Sequence, residues 1–233
     1  IMGIKEVPIN MLIDEKVFLF FSHTIKKQPY NQDLLKNIIR KKIQLIDYET
    51  LVDENRKRLI GFGRYAGIVG AYNTFLAYGK KTKKFDLKFA HLLTDKTELE
   101  QELLKVILPD NFRIILTGEG RVAQGAKEIL NLLSIAKVNK QSYLQHQFNH
   151  PVFVQLISTD YNERKDGNDV SKADFYKYPQ EYQSCLPKYT SCSNMLITGH
   201  YYASGSPIIL SKDDIKNMTP KEGWDKITKN TSK

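Results

Sequence analysis

The sequence predicts an α/β fold, and two observations predict it. The first is the run Ile115-Leu116-Thr117-Gly118-Glu119-Gly120-Arg121-Val122-Ala123-Gln124-Gly125-Ala126, where a short apolar segment passes through glycines into the helix-forming Lys127-Glu128-Ile129-Leu130. Glycines at such a corner permit a tight turn and let backbone N–H groups approach a pyrophosphate. The helix N-terminus behind them favours negative charge. The spacing is Gly-x-Gly-x-x-x-x-Gly, so an ordinary strand–turn–helix corner competes with a dinucleotide site on the motif alone. The second observation is the alternation of helix-period and strand-period segments along the chain, which argues for helices packed on a sheet. A doubly wound sheet needs two mononucleotide halves, and the sequence supplies only part of one.

Each element follows from local pattern. Ile1-Met2-Gly3-Ile4-Lys5 begins inside an apolar run and reads as the interior of a domain, so upstream sequence is expected. Val17-Phe18-Leu19-Phe20-Phe21 fits a buried strand. From Asn31 to Lys42, apolar residues recur at Leu34, Leu35, Ile38 and Ile39, which predicts an amphipathic helix with those four on its inner face. Short strands are expected at Gln44–Tyr48 and Arg58–Phe62. Tyr65–Tyr78, rich in small and apolar residues, suits a buried connecting helix. Thr94–Ile107 reads as a helix capped by Thr94 or Asp95, and Pro109-Asp110-Asn111 separates it from the strand Phe112–Thr117. The helix behind the glycines runs to about Leu133. A polar, weakly patterned region follows, then Val152–Ile157 as a strand or the start of a helix. Asp174–Tyr182 looks helical, Met195–Gly199 looks like a buried strand, and Ser211 opens a last helix with Asp213 and Asp214 in its first turn. Beyond Asn217 the sequence is polar and basic without period.

Composition narrows the classes. A chain of 233 residues with 41% hydrophobic content can hold one large domain or two small ones. No apolar stretch approaches the length of a membrane span. The two cysteines, Cys185 and Cys192, give neither a disulfide framework nor a zinc pattern, and suggest a reducing compartment. No metal site is expected. The formal charge of +9 comes from scattered lysines with small clusters at Lys80–Lys84 and Arg40–Lys42. No nucleic-acid motif accompanies them, so the charge reads as a solvated surface that also attracts anionic metabolites.

Candidate chemistry sits at strand ends. Lys5 ends an apolar run before a proline, where an ammonium can fix a carboxylate or act as a base. His23 follows the strand ending near Ser22 and can carry a proton near neutrality. Lys26 is three residues further on. Each alone is more often a solvated or structural residue. Two strand ends delivering Lys5 and His23 upstream of the glycine corner point to one cleft.

The segments Phe20-Phe21-Ser22-His23-Thr24-Ile25-Lys26-Lys27-Gln28-Pro29-Tyr30-Asn31 and Leu45-Ile46-Asp47-Tyr48-Glu49-Thr50-Leu51-Val52-Asp53-Glu54 carry a family likeness. So do Gly61–Gly67, Thr117–Ala126, Tyr178–Tyr182 and Tyr189–Cys192. Together they resemble the lysine–2-oxoglutarate reductase family, the saccharopine-forming half of aminoadipic semialdehyde synthase, within the superfamily that includes alanine dehydrogenase and transhydrogenase. The resemblance implies two Rossmann-like domains, a substrate domain and a dinucleotide-binding domain, both incomplete. On it, residues 1–64 belong to the substrate domain, 65–110 to connecting helices and 111–233 to the nucleotide domain.

The resemblance also assigns roles. Lys5 and His23 match the catalytic lysine and the acid/base histidine, while Lys26, Glu49 and Arg58 match substrate-pocket positions. Gly118, Gly120 and Gly125 match the phosphate loop, with Arg121 and Val122 in the same turn and Gly199 ending a further strand. The implied activity is reductive condensation of lysine with 2-oxoglutarate to saccharopine. Lys26 and Lys27 after His23 suit a ligand with several carboxylates. Small-molecule partners, with no nucleic acid or membrane, are expected, and a homo-oligomer is left open. The compartment implied is cytoplasmic, or the mitochondrial matrix in an animal-like cell. NAD-dependent oxidation of saccharopine or alanine, and a nucleotide-binding module without turnover, remain the alternatives.

NAD-specific folds place an acid at the end of the second strand, about 20 residues past the glycines. Between Ser134 and Thr159 there is no Asp or Glu, while Lys137, Asn139 and Lys140 are present. This favours NADP(H) as cofactor, with NAD open.

Overall fold

A computed structural model describes residues 1–202 and 205–217, so the polar segment expected after Asn217 lies outside the described residues. The chain divides into two compact units, residues 1–62 and residues 63 onward.

In the first unit, Ile1–Ile4 runs parallel to β1 (Val17–Phe20). Leu19 N–H donates to the Ile1 carbonyl at 2.9 Å, Gly3 N–H to Leu19 at 2.8 Å and Phe21 N–H to Ile4 at 3.1 Å. From β1 the chain passes through α1 (Gln32–Arg40) to β2 (Gln44–Asp47), which pairs in parallel with β1, Phe18 opposite Leu45 and Phe20 opposite Asp47. Phe18 and Phe20 alternate inward and bury against Leu12, Leu34, Ile38 and Ile43. The expected inner face of α1 is narrower than its apolar pattern. Leu34 and Ile38 are buried, whereas Leu35 and Ile39 are 40% and 68% exposed. A nine-residue helix laid across one small sheet buries a single i, i+4 stripe.

The strand expected at Arg58–Phe62 does not form. Instead Val52 and Arg58 make one antiparallel bridge around a loop folded by Asp53, whose carboxylate accepts from the N–H groups of Asn55 (3.0 Å) and Lys57 (2.8 Å). An Asx turn of this kind gives the backbone a local alternative to sheet pairing.

The second unit opens with α2 (Gly63–Thr82), buried along Ile68, Ala71, Tyr72, Phe75 and Leu76. It continues through α3 (Lys96–Leu103), whose N-cap is Asp95, accepting from Glu98 N–H at 2.9 Å. Next come β3 (Arg113–Thr117), α4 (Arg121–Leu132), β4 (Ala136–Val138), α5 (Lys140–Gln145) and β5 (Val152–Leu156). After α6 (Ser158–Tyr161), the strands β6 (Asn162–Arg164) and β7 (Tyr182–Ser184) form an antiparallel pair that brackets α7 (Lys172–Lys177). The helix expected to reach Tyr182 stops at α7 because Pro179 lacks an N–H donor and restricts the residue before it. Then follow α8 (Pro187–Thr190), β8 (Met195–Thr198) and α9 (Lys212–Asn217). Among the described residues, no helix is long and apolar enough to cross a membrane.

The main sheet is parallel in the order β4-β5-β3-β8. On one face Ile114, Leu116 and Phe153 join the core of α2, α3 and α4. On the other, Ile115, Val152, Val154 and Leu156 pack with Tyr143, Tyr161, Leu186 and Tyr189. Each such fully buried side chain contributes roughly 1.5–3 kcal/mol of transfer free energy. The strand directly after α4 is β4, as chain order suggests, but it lies at the edge, and β5 is the neighbour of β3. Burial explains the exchange. The three residues of β4 are mostly exposed, while four of the five in β5 are buried, as an interior strand of a parallel sheet requires.

Candidate functional site

In the first unit the strand ends converge on a buried carboxylate. The Glu49 side chain, fully buried just after β2, lies 2.9 Å from His23 Nδ1, 3.1 Å from Arg58 Nη2 and 3.8 Å from Lys26 Nζ. Its backbone N–H donates to Asp47 at 2.8 Å, and Asp47 in turn accepts from the Ser22 hydroxyl. Ser22 also meets Thr24 at 2.7 Å, so a hydrogen-bonded frame holds the turn that presents His23. His23 adopts φ +55°, a left-handed conformation that is uncommon for a non-glycine residue, and stacks beside Phe21. A buried carboxylate is tolerable only with compensating charge, and here three cationic or protonatable side chains surround it. Its Oε1 receives ion pairs but no aligned hydrogen bond among the described residues.

The structure therefore brings together His23, Lys26, Glu49 and Arg58. The loop folded by Asp53 is what returns Arg58 to Glu49. Lys5 follows Ile4 at the same end of the neighbouring parallel segment; it is exposed and makes no ion pair among the described residues. Glu6, which is not among the sequence-predicted residues, places its carboxylate 3.7 Å from His23 Nε2. Its position beside Lys5 at a strand end was the available signal.

In the second unit, the glycine corner joins β3 to α4. Gly118 has φ +93°, and a Cβ there would stand 2.6 Å from the carbonyl oxygen of Gly199 at the end of β8. Gly199 is equally confined, with Ala123 and Thr117 backbone atoms 2.9 Å from a Cβ. Gly120 is the N-cap of α4, no side chain caps the helix, and a Cβ at Gly120 would meet nothing within 4 Å. An uncapped first turn behind an open glycine loop fits a dinucleotide's pyrophosphate. Arg121 and Val122 occupy that turn, Arg121 exposed. Glu119, in the loop, is paired with Lys172. At the end of β3, Thr117 Oγ1 meets His200 Nδ1 at 2.6 Å, and burial lowers the His200 pKa.

Gly125 is not in the loop. It lies one turn into α4, where a Cβ would stand 1.9 Å from the Arg64 carbonyl oxygen of α2, so its glycine serves a helix crossing.

The residues expected at the adenosine ribose are dispersed. Asn139 caps α5, accepting from Ser142 N–H at 2.8 Å. Lys137 donates to Gln155 at 3.1 Å, and Lys140 pairs with Asp160 at 2.5 Å. The interval Ser134–Thr159 is acid-free in sequence, but Asp160, the next residue, supplies an acid in space.

No family model matches the chain. It is 29% identical over 248 residues to the mitochondrial alpha-aminoadipic semialdehyde synthase of Mus musculus, covering 94% of this chain and 26% of that protein. To the alpha-aminoadipic semialdehyde synthase of Arabidopsis thaliana it is 30% identical over 257 residues, 95% of this chain and 24% of that protein. A shorter match, 38% over 74 residues, joins 30% of the chain to 19% of the NAD(+), L-lysine-forming saccharopine dehydrogenase of Candida glabrata. Among solved structures, an L-alanine dehydrogenase shares the fold, with TM-score 0.51 and 13% identity over 94% of this chain and 53% of that one. The chain spans about a quarter of the length of the synthases it matches. The α/β architecture and the likeness read from the histidine and glycine segments thus agree: along nearly its whole length this chain is similar to one segment of the alpha-aminoadipic semialdehyde synthases, and its fold is similar to that of an alanine dehydrogenase.

Proposed function

We propose that the chain belongs to an NAD(P)-dependent oxidoreductase that condenses the ε-amine of lysine with the keto carbon of 2-oxoglutarate and reduces the resulting imine to saccharopine. The observation that carries this reading is the seating of His23, Lys26 and Arg58 around the buried Glu49 carboxylate. Relatives named for aminoadipic semialdehyde and for lysine-forming saccharopine dehydrogenation support a substrate derived from lysine.

The carboxylate of Glu49 draws a proton to His23 Nδ1, which leaves Nε2 as the nitrogen that takes and returns protons. That nitrogen serves carbinolamine formation, where the amine loses a proton, and dehydration, where the departing hydroxyl gains one. Lys26, Arg58 and the exposed Lys5 supply cations for the carboxylates of the keto acid. Gly118, Gly120, Arg121 and Val122 would hold the dinucleotide, which when bound supplies the hydride. NADPH is the proposed cofactor, on Lys137 of β4 and Lys140 at the start of α5; Asp160 is the opposing charge.

The test is oxidation of NADPH by the full gene product, measured with lysine and 2-oxoglutarate together and with each omitted. Dependence on both is expected. Efficient turnover of pyruvate with ammonia instead would overturn the substrate assignment in favour of alanine chemistry.

A further inference from the structure

We propose that the choice between NADH and NADPH is made beyond the carboxyl end of β5, where Asp160 is opposed by Lys140 from the start of α5, and not by the residues that follow β4 alone. This rests on the dinucleotide reading above. In an open parallel sheet, ligands lie outside the carboxyl ends of the strands. The strand standing beside the glycine-bearing one meets the adenosine ribose. Here that strand is β5. Thr117 is in register with Leu156, Gly118 N–H donates to the Leu156 carbonyl at 2.7 Å, and Gln155 Nε2 donates to the Gly118 carbonyl at 2.9 Å. The end of β5 is thus bonded to the glycine corner itself, while β4 is separated from β3 by a whole strand.

Three side chains at that end are placed for a ribose. Asp160 has a carboxylate only 10% exposed, fixed by Ile157 N–H at 2.8 Å through one oxygen and by Lys140 at 2.5 Å through the other. Lys140 itself is half-exposed. Ser158 is 8% exposed, and its hydroxyl has no partner among the described residues, an orphan that a ligand hydroxyl would satisfy. Asn139 cannot compete for this task while its amide oxygen caps α5. The two charges work in opposite directions. Asp160 accepts from ribose hydroxyls and repels a 2′-phosphate, whereas Lys140 attracts the phosphate and masks the carboxylate.

Calorimetric titration of the folded full chain with 2′,5′-ADP and with 5′-AMP isolates this step from turnover. Asp160→Asn keeps an acceptor for Ile157 N–H and is expected to raise the affinity ratio of 2′,5′-ADP to 5′-AMP about tenfold or more. Lys140→Met, at a half-exposed position, is expected to lower the ratio by a similar factor. Ratios unchanged in both folded variants, or moved in the same direction, would overturn the proposal while wild-type binding of either fragment leaves the dinucleotide reading standing. Failure of the wild type to bind either fragment would overturn both.

Discussion

Gly67 of α2 and Gly125 of α4 bring two helix backbones into direct contact. A Cβ on Gly67 would stand 1.9 Å from the carbonyl oxygen of Val122, and one on Gly125 would stand 1.9 Å from that of Arg64. The contact is reciprocal, each glycine facing the opposite helix one turn from its partner. Arg64 and Glu128 bridge the same two helices, at 2.5 and 2.7 Å. Because α4 begins at the glycine corner, this crossing also sets where that corner lies in the unit.

Gly67→Ala or Gly125→Ala should therefore cost about 1–3 kcal/mol, since backbone atoms must move apart rather than a side chain rotate. Gly70, in the same helix, has nothing within 4 Å of a Cβ, and Gly70→Ala should be neutral or stabilise by about 0.5–1 kcal/mol. Denaturant unfolding of the three variants checks the contrast. Equal effects at Gly67 and Gly70 would show that the helices can separate freely.

His23→Asn should lower turnover about 10²–10⁴-fold, the usual contribution of a positioned proton carrier. The dissociation constant for NADPH should be unchanged, because His23 belongs to the first unit's Glu49 cluster and the glycine corner to the second. Steady-state kinetics combined with dinucleotide titration separates the two quantities. A parallel fall in both would assign His23 to structure instead.

Lys26→Met should raise the KM for 2-oxoglutarate about tenfold and leave kcat nearly intact, as expected when a binding cation is removed. Lys26 is 44% exposed in its side chain and 3.8 Å from Glu49, so it can turn toward a ligand carboxylate without breaking a tight pair. An unchanged KM would show that Lys26 only screens Glu49.

Acid stability should carry the signature of Glu98. Lys88 and the Thr94 N–H hold its carboxyl down to about 2 from an ordinary 4.5. A carboxyl with a lowered pKa in the folded chain stabilises fully above its unfolded value. That contribution is lost as the pH falls from 4.5 through about 2. Unfolding midpoints measured across this window should fall less steeply for Glu98→Gln than for the wild type. Identical pH slopes would show that Glu98, in the first turn of α3, makes no net electrostatic contribution.

What the sequence determined by itself is local. The apolar run before Gly118, the glycines and the helix-forming residues behind them specify β3 and α4 because strand period, turn geometry and helix propensity act within a few residues. Asp95 marks the start of α3 by the same short-range chemistry. His23, Lys26, Glu49 and Arg58 were also legible as candidates, through segments whose likeness to known relatives extends along the chain. Tertiary structure alone decided how these pieces meet. It chose Leu34 and Ile38 over Leu35 and Ile39 for the buried stripe of α1, and it folded the expected strand at Arg58 into a loop that returns a guanidinium to Glu49. It also set β5 rather than β4 beside β3, and with it Asp160 against Lys140. Strand order and ion pairing depend on which segments win burial against distant partners, and that competition leaves no periodic trace in the chain.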